Sequence, residues 1–224
     1  MRHRQHAAIA PAAPAAATAP AARAPTEANG RRSVRRYLPK ALSRPLIEQL
    51  LQAAISAPSA HNRQPWRFVV LTSQQQKTVL AKAMGDRLRM DRQGDRDPDA
   101  EIEADVARSF ARITGAPAVI VVCLSMEDMD VYPDALRSRN EHQMAVQSTA
   151  MAGQNLLLAA HAAGLGACWL CAPMFCPSTV IRALNLPAHW EPQGMITVGY
   201  PANSGKPYVR KNISEVALFL SDPA

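Results

Sequence analysis

The sequence predicts an α+β domain, and three observations carry that prediction. Hydrophobic residues make up 48% of the 224-residue chain, enough for one sizeable core. Helical and strand patterns follow one another without the regular alternation of a doubly wound sheet, which favours an α/β sandwich. No apolar run approaches the roughly 20 residues that a membrane helix needs, so we expect no membrane-spanning segment.

The first helix is predicted after Ser43. This residue is a suitable N-cap, Pro45 fits the first turn, and apolar residues recur at helical spacing up to Ala57. The next predicted elements are a strand at 66–71, a helix at 74–90, a charged mobile loop at 91–99 and a second helix that ends near 113.

The second half begins with PAVIVVCL at 117–124, a β-branched apolar run typical of a buried strand. Residues 138–163 form the longest helical pattern, which is apolar on more than one face and ends at the cap residue Gly164. Such a helix is expected in a core or a subunit interface, and Gly153 permits close helix approach. A strand at 167–171, a helix at 177–185 and a strand at 194–200 complete the prediction.

The positive charge of the chain is concentrated near its N-terminus. Residues 1–40 carry eight basic residues and one acid, whereas the remaining 184 residues carry 17 of each. Prolines interrupt the alanine-rich stretch 7–25 every few residues, which predicts a disordered tail over 1–28 before a domain at 29–224. Because basic and acidic residues are equal in number outside the first 40 residues, nucleic-acid binding is disfavoured.

Two clusters indicate ligand binding. Four arginines and a serine lie within residues 31–36, and guanidinium groups match phosphate oxygens well. The alternative is a solvated basic junction. Residues 57–66 place Ser, Asn and Gln between two prolines, which suits the polar edge of a planar heterocycle. The alternative is an ordinary helix–strand loop.

A third cluster contains cysteines. Cys168 and Cys171 form a C-x-x-C pattern in the predicted strand 167–171, with Cys176 nearby. A dithiol or zinc site is one interpretation, but there is no second C-x-x-C, so buried structural cysteines and no metal site are favoured. Four cysteines in a chain of this length do not form a disulfide framework, so a reducing, cytoplasmic setting is expected.

Together the clusters resemble the FMN-dependent nitroreductase family from Arg31 to Phe219. The matching pieces are RRSVRRY, APSAHNRQPWRF, GLGACW after a long helix, and GYP…KPYVR. Within 132–147, 164–175 and 184–201 the chain also resembles the C-terminal, nitroreductase-like domain of the bifunctional coenzyme F-420 glutamate ligase. Because the ligase half is absent, a stand-alone reductase is expected.

The resemblance implies which residues hold FMN. The residues implied to contact the phosphate and ribityl chain are Arg31, Arg32, Ser33, the Val34 backbone, Arg35 and Arg210. Lys206 is a weaker match than Arg210 for the C-terminal contact with the phosphate. The flavin-facing residues are Pro58, Ser59, Asn62 and Gln64, and Cys171 places its backbone N–H near the ring. Asp91 is implied, more loosely, to contact a deazaflavin substrate.

The resemblance also implies a mixed central sheet flanked by helices and a homodimer that shares each FMN. In such enzymes NAD(P)H gives a hydride to FMN, which passes it to a small planar acceptor, namely a nitroarene, a quinone or a deazaflavin precursor. No protein residue is expected to act as nucleophile or general base. A non-catalytic flavin-binding module remains an alternative, as does, with less support, a dithiol or zinc redox protein.

Overall fold

The computed structural model describes residues 28–220. The tail predicted over 1–28 therefore lies outside the described residues, apart from its last residue. The helices are α1 (Arg44–Ile55), α2 (Gln74–Gly94), α3 (Asp99–Thr114), α4 (Ala135–Ala162), α5 (Ala172–Phe175), α6 (Pro177–Leu184) and α7 (Ile213–Val216), with a 3-10 turn at Ala60–Asn62. The strands are β1 (Trp66–Leu71), β2 (Ala118–Ser125), β3 (Gly166–Leu170) and β4 (Trp190–Gly199).

One four-stranded sheet lies at the centre of the fold, in the order β1-β2-β4-β3. All three pairings between these strands are antiparallel. The α+β fold is confirmed, but the parallel pairing expected of a mixed sheet reduces to an isolated bridge between Ser33 and Ala167. The N-terminal segment touches the edge of β3 there and then turns away to meet Pro201 through Tyr37, so it adds no full strand.

Both faces of the sheet are covered, and β2 shows this most clearly because all its residues are buried. Ile120 packs in a cluster with Leu50 of α1 and Leu156 of α4. The alternate residue Val121 packs in a second cluster with residues of α2 and α6. The prediction of a buried strand at 117–124 is thus confirmed, and the near-continuous apolar run reflects helices on both sides.

Several predicted helix ends are confirmed by their capping contacts. The Ser43 hydroxyl accepts a hydrogen bond from the Leu46 N–H at 3.4 Å, and Gly164 follows α4 with a φ of 71°. Helix α4 begins at Ala135, three residues before the predicted position, because the Asp134 carboxylate accepts from the Arg137 N–H at 2.9 Å and caps it.

Two other boundaries were wrong. Residues 91–94, predicted to be part of a mobile loop, continue α2, and Arg92 forms ion pairs with acids of the following turn and of α3. These pairs tie down a charged stretch that sequence alone presents as solvated. Strand β4 begins at Trp190 rather than at residue 194, because its first residues pair with the end of β2.

Helix α4 is not buried on all sides within one chain. Met151 is 40% exposed, whereas Leu156 on the opposite side is fully buried. The small residue Gly153 accommodates the Trp169 indole of β3, rather than a second helix as predicted. A Cβ atom at this glycine would lie 2.5 Å from Trp169 Cζ3. Within residues 28–220, no helix is both long and apolar enough to span a membrane.

Candidate functional site

The two ends of the described chain meet in a basic pocket of about 190 Å³. Its lining comprises Arg31, Arg32, Ser33, Arg35, Lys206, Pro207, Tyr208 and Arg210. Every residue predicted to hold a phosphate through its side chain lies here. Sequence spacing cannot show this convergence, because the two groups lie more than 170 residues apart.

The first half of the basic pocket is fixed by a buried residue between its arginines. Val34 is buried, and its N–H donates to the Ala167 carbonyl of β3 at 3.0 Å. Gly166 permits this approach, since a Cβ atom there would lie 2.7 Å from Val34 Cγ1. The residues on either side of Val34, Ser33 and Arg35, line the basic pocket.

The second half is held against the first by Tyr208, which sequence reasoning missed. Its hydroxyl donates to the Asn29 carbonyl at 2.9 Å. Its ring lies between two guanidinium groups, with Arg32 Cζ at 4.3 Å and Arg210 Cζ at 3.9 Å from the centroid. Arg32 also donates to the Lys206 carbonyl at 2.6 Å. Cation–π contacts of this kind position both arginines while leaving N–H donors for a ligand.

A second basic cavity of about 700 Å³ adjoins the first and shares Ser33, Arg35 and Lys206 with it. Its remaining lining is Arg36, Arg108, Ala111, Arg112, Asn203 and Gly205. The arginines of α3 were missed because a helix pattern does not show which strand edge the helix approaches. None of the residues lining either cavity is acidic, so an anionic or polar ligand meets no charge repulsion.

Gly205 shapes the boundary between the two cavities. Its φ is 79°, a left-handed value that favours glycine. A Cβ atom at this position would lie 3.1 Å from the Ser33 carbonyl oxygen. The Gly205 N–H donates to Asn203 Oδ1 at 3.1 Å, which stabilises the turn that leads into the Lys206–Arg210 segment.

The predicted flavin-facing loop, residues 58–64, lines neither basic cavity of its own chain. It is nevertheless tightly built. Its residues His61, Asn62 and Gln64 all have positive φ, between 49° and 55°. The Ser59 hydroxyl accepts from the Gln64 N–H at 3.0 Å, and Pro58 is exposed at its start. Strain of this kind is characteristic of functional loops.

The cysteines do not form a dithiol pair. Cys171 is exposed and was wrongly placed in a strand: β3 ends at Leu170, and Cys171 takes a right-handed helical conformation before α5. Cys168 is buried, as predicted for a packing residue, and burial raises the pKa of its thiol. Among residues 28–220, no group of three or more His, Cys, Asp or Glu side chains is placed to bind a metal ion.

Asp91 lies on α2 instead of in the predicted loop. Its carboxylate accepts two hydrogen bonds from Arg87 Nε, at 2.7 and 2.8 Å. It lines neither basic cavity. A substrate that contacts Asp91 therefore has to compete with an existing ion pair.

Comparison with known proteins agrees with the fold. The model of the nitroreductase family matches residues 28–200. A protein of Thermus thermophilus named NADH dehydrogenase is 31% identical over 229 residues, which cover 91% of this chain and 98% of the relative. A crystal structure from Desulfovibrio desulfuricans, of a protein assigned as a nitroreductase and solved in complex with FMN, is 30% identical with a TM-score of 0.68; the match covers 88% of this chain and 96% of that one.

A further structure, of a nitroreductase-like family protein from Bacillus cereus, has a TM-score of 0.69 at 22% identity and covers 91% of this chain and 99% of that one. At this identity the likeness bears on the fold alone. The α+β sandwich thus has the nitroreductase-like fold. The chain belongs to the nitroreductase family.

Proposed function

We propose that the protein is an FMN-dependent oxidoreductase that takes a hydride from NAD(P)H and delivers it to a planar, electron-poor acceptor. The observation that carries this proposal is the acid-free basic pocket that the two ends of the described chain build together. The FMN-bound relative and the relative named NADH dehydrogenase support the choice of cofactor and donor. FMN, when bound, would accept the hydride and pass it on.

The residues present fit FMN. Arg31, Arg32, Ser33 and Arg210 would hold its phosphate in the basic pocket, since forked guanidinium donors and a hydroxyl match phosphate oxygens. The second basic cavity would take the ribityl chain and the ring, and its volume of about 700 Å³ lies within the range of ligand sites. There Arg35 and Arg112 would present positive charge to the polar edge of the ring.

Cys171 is proposed to act through its backbone N–H at the polar centre of the ring. Cys171 is exposed and lines neither basic cavity of its own chain, so this role rests on the resemblance to the family. This arrangement requires no protein group to move a proton. The role of the chain is to anchor, orient and exclude water.

The site is proposed to be completed in a homodimer. Loop 58–64 does not reach the basic cavities of its own chain, so a second copy would have to supply it to the ring. The C-terminal segment also carries large apolar side chains that no part of residues 28–220 covers, namely Val209, Ile213, Val216, Leu218, Phe219 and Leu220. A second subunit would bury them.

The acceptor proposed is a nitroarene, a quinone or a deazaflavin precursor. The deazaflavin precursor is included because the chain resembles the reductase-like domain of the F-420 glutamate ligase. Asp91 of this chain would then contact that substrate. We also propose a reducing, cytoplasmic setting, in which the four cysteines would remain free thiols.

The test is to purify the protein, record its absorbance spectrum and follow NADH and NADPH oxidation with one quinone and one nitroarene. We expect bound FMN and acceptor-dependent oxidation. Bound FMN without turnover would favour the non-catalytic module. A colourless protein that neither takes up added FMN nor oxidises NAD(P)H would contradict the proposal.

A further inference from the structure

Loop 58–64 is held in a conformation that its own residues do not favour. Three of its residues have positive φ although none is glycine. Side chains disfavour this region because Cβ crowds the following carbonyl oxygen. Hydrogen bonds within the loop, such as Gln64 N–H to Ser59 Oγ, hold its shape. Contacts from outside the loop fix where it lies on the protein, so those contacts identify the residues that position it.

The first outside contact comes from the long helix α4. The Ser148 hydroxyl accepts a hydrogen bond from the Ala60 N–H at 3.2 Å and donates to the Met144 carbonyl at 2.7 Å. Both roles of the hydroxyl are thus used, and Ser148 is 1% exposed. This contact fixes the start of the 3-10 turn.

The other contacts come from the segment 128–130, which follows β2. Arg63 of the loop forms an ion pair with Asp130. Arg67 donates to the Gln64 carbonyl at 3.2 Å and to Asp128 at 3.0 Å. Arg63 and Arg67 therefore link segment 128–130 to the second half of the loop, so the position of the segment affects the position of the loop.

Glu141 of α4 holds the segment 128–130 in turn. Its side chain is buried, with the residue 1% exposed. Its Oε1 accepts a hydrogen bond from the Asp130 N–H at 3.1 Å, whereas Oε2 has no partner among the described residues. A buried carboxylate with one protein hydrogen bond is costly to maintain, so packing alone does not explain a glutamate here.

We infer that Glu141 is a positioning residue for loop 58–64, acting through the Asp130 backbone and the Asp130–Arg63 ion pair. Its effect is to place Ser59, Asn62 and Gln64 at the polar edge of the flavin ring. The inference rests on the proposed function, because it requires that this loop contacts the ring. Displacement of such groups by about 1 Å is sufficient to lower a rate strongly.

The test compares Glu141→Ala with Glu141→Gln, which keeps an acceptor oxygen for the Asp130 N–H. Dissociation constants for FMN and riboflavin, kcat and KM with a quinone, and melting temperatures are measured. We expect Glu141→Ala to raise the dissociation constants of FMN and riboflavin by the same factor, about tenfold, and to lower kcat. Glu141→Gln should stay within about twofold of wild type.

The matched control is Leu156→Ala. Leu156 is fully buried on the same helix and packs in the cluster between α1, α4 and the sheet, away from segment 128–130. We expect it to lower the melting temperature at least as much as Glu141→Ala while leaving riboflavin affinity within about twofold of wild type. Equal losses of flavin affinity in both variants would overturn the inference in favour of a general effect on folding.

If Glu141→Ala does not fold, charge reversal at the ion pair tests the same chain of contacts. Arg63→Asp and Asp130→Arg should each weaken riboflavin binding, and the double variant should restore much of it. Variants that match wild-type affinity and kcat would overturn this inference alone. Wild-type protein that binds no FMN would overturn the proposed function and this inference with it.

Discussion

At the scale of single residues, six predicted phosphate-binding positions meet in one pocket, and Arg210 allows the sharpest test of it. We expect Arg210→Ala to weaken FMN binding by roughly 10- to 150-fold, because a charge-assisted hydrogen bond contributes about 1.5–3 kcal/mol. The affinity for riboflavin, which lacks the phosphate, should fall by less than about threefold. Fluorescence titration with both flavins measures the difference.

The control for that substitution is Lys211→Ala, the next residue, which is exposed and lines neither basic cavity. It should leave both affinities unchanged. Equal losses of FMN and riboflavin affinity in Arg210→Ala would place the phosphate elsewhere.

Cysteine reactivity gives a second residue-scale prediction. Cys171 is exposed, whereas the other three cysteines are buried, and burial raises the pKa of the Cys123 thiol to about 12. Only thiolates react with iodoacetamide, so at pH 8 the native protein should be labelled at Cys171 alone. Mass spectrometry of the intact protein should show one adduct, and all four after unfolding.

Cys171→Ser is the matched control, because it should abolish labelling of the folded protein while leaving three reactive sites after unfolding. Rapid native labelling of Cys168 would contradict the buried environment of that thiol. It would also support the interpretation that Cys168 and Cys171 form a dithiol site.

At the scale of elements, the packing of β3 against α4 depends on the absence of a side chain at Gly153. Replacement of a helical glycine by alanine ordinarily stabilises a helix by up to about 1 kcal/mol. Here the added Cβ would lie 2.5 Å from the Trp169 ring. We therefore expect Gly153→Ala to lower the free energy of unfolding by about 1–3 kcal/mol, measured by urea denaturation.

Gly94→Ala provides the control, since Gly94 ends α2 and a Cβ atom there would have no neighbour within 4 Å. This variant should be neutral or slightly more stable than wild type. A stabilising effect of Gly153→Ala would mean that Trp169 moves aside without cost.

The elements also show where sequence patterns suffice. The Ser43 cap, the glycine after α4 and the apolar run of β2 are local signals, and each is confirmed. The end of α2 and the start of β4 depend on partners outside the element itself, the ion pairs of Arg92 and the end of β2. Local patterns contain no information about such partners.

At the scale of the whole molecule, the exposed C-terminal apolar segment predicts a dimer. Phe219 and Leu220 are 81% and 90% exposed, and solvent exposure of a contiguous apolar segment is unfavourable. We expect sedimentation of the full chain to give a dimer and truncation after Lys211 to weaken it, while residues 206–210 of the basic pocket are kept.

Deletion of residues 2–26 is the matched truncation at the other end. Because the alanine- and proline-rich sequence has no amphipathic pattern, we expect this deletion to leave the dimer and the flavin content unchanged. A full-length chain that sediments as a monomer at micromolar concentration would contradict the proposed assembly.

The sequence by itself determined the fold class, most of the elements and the basic chemistry of the residues proposed to bind phosphate, because hydrophobic periodicity, caps and guanidinium groups are local properties. The family resemblance implied that Arg31 and Arg210 serve one phosphate, and the tertiary structure brings them into one pocket. Only the tertiary structure decided that Tyr208 lies between Arg32 and Arg210 and that α3 adds Arg112. These are contacts across long sequence separations. They arise because the hydrogen bond from Val34 to Ala167 of β3 holds the N-terminal segment at the sheet edge where the C-terminal segment also lies. No local sequence pattern predicts that these two segments lie side by side.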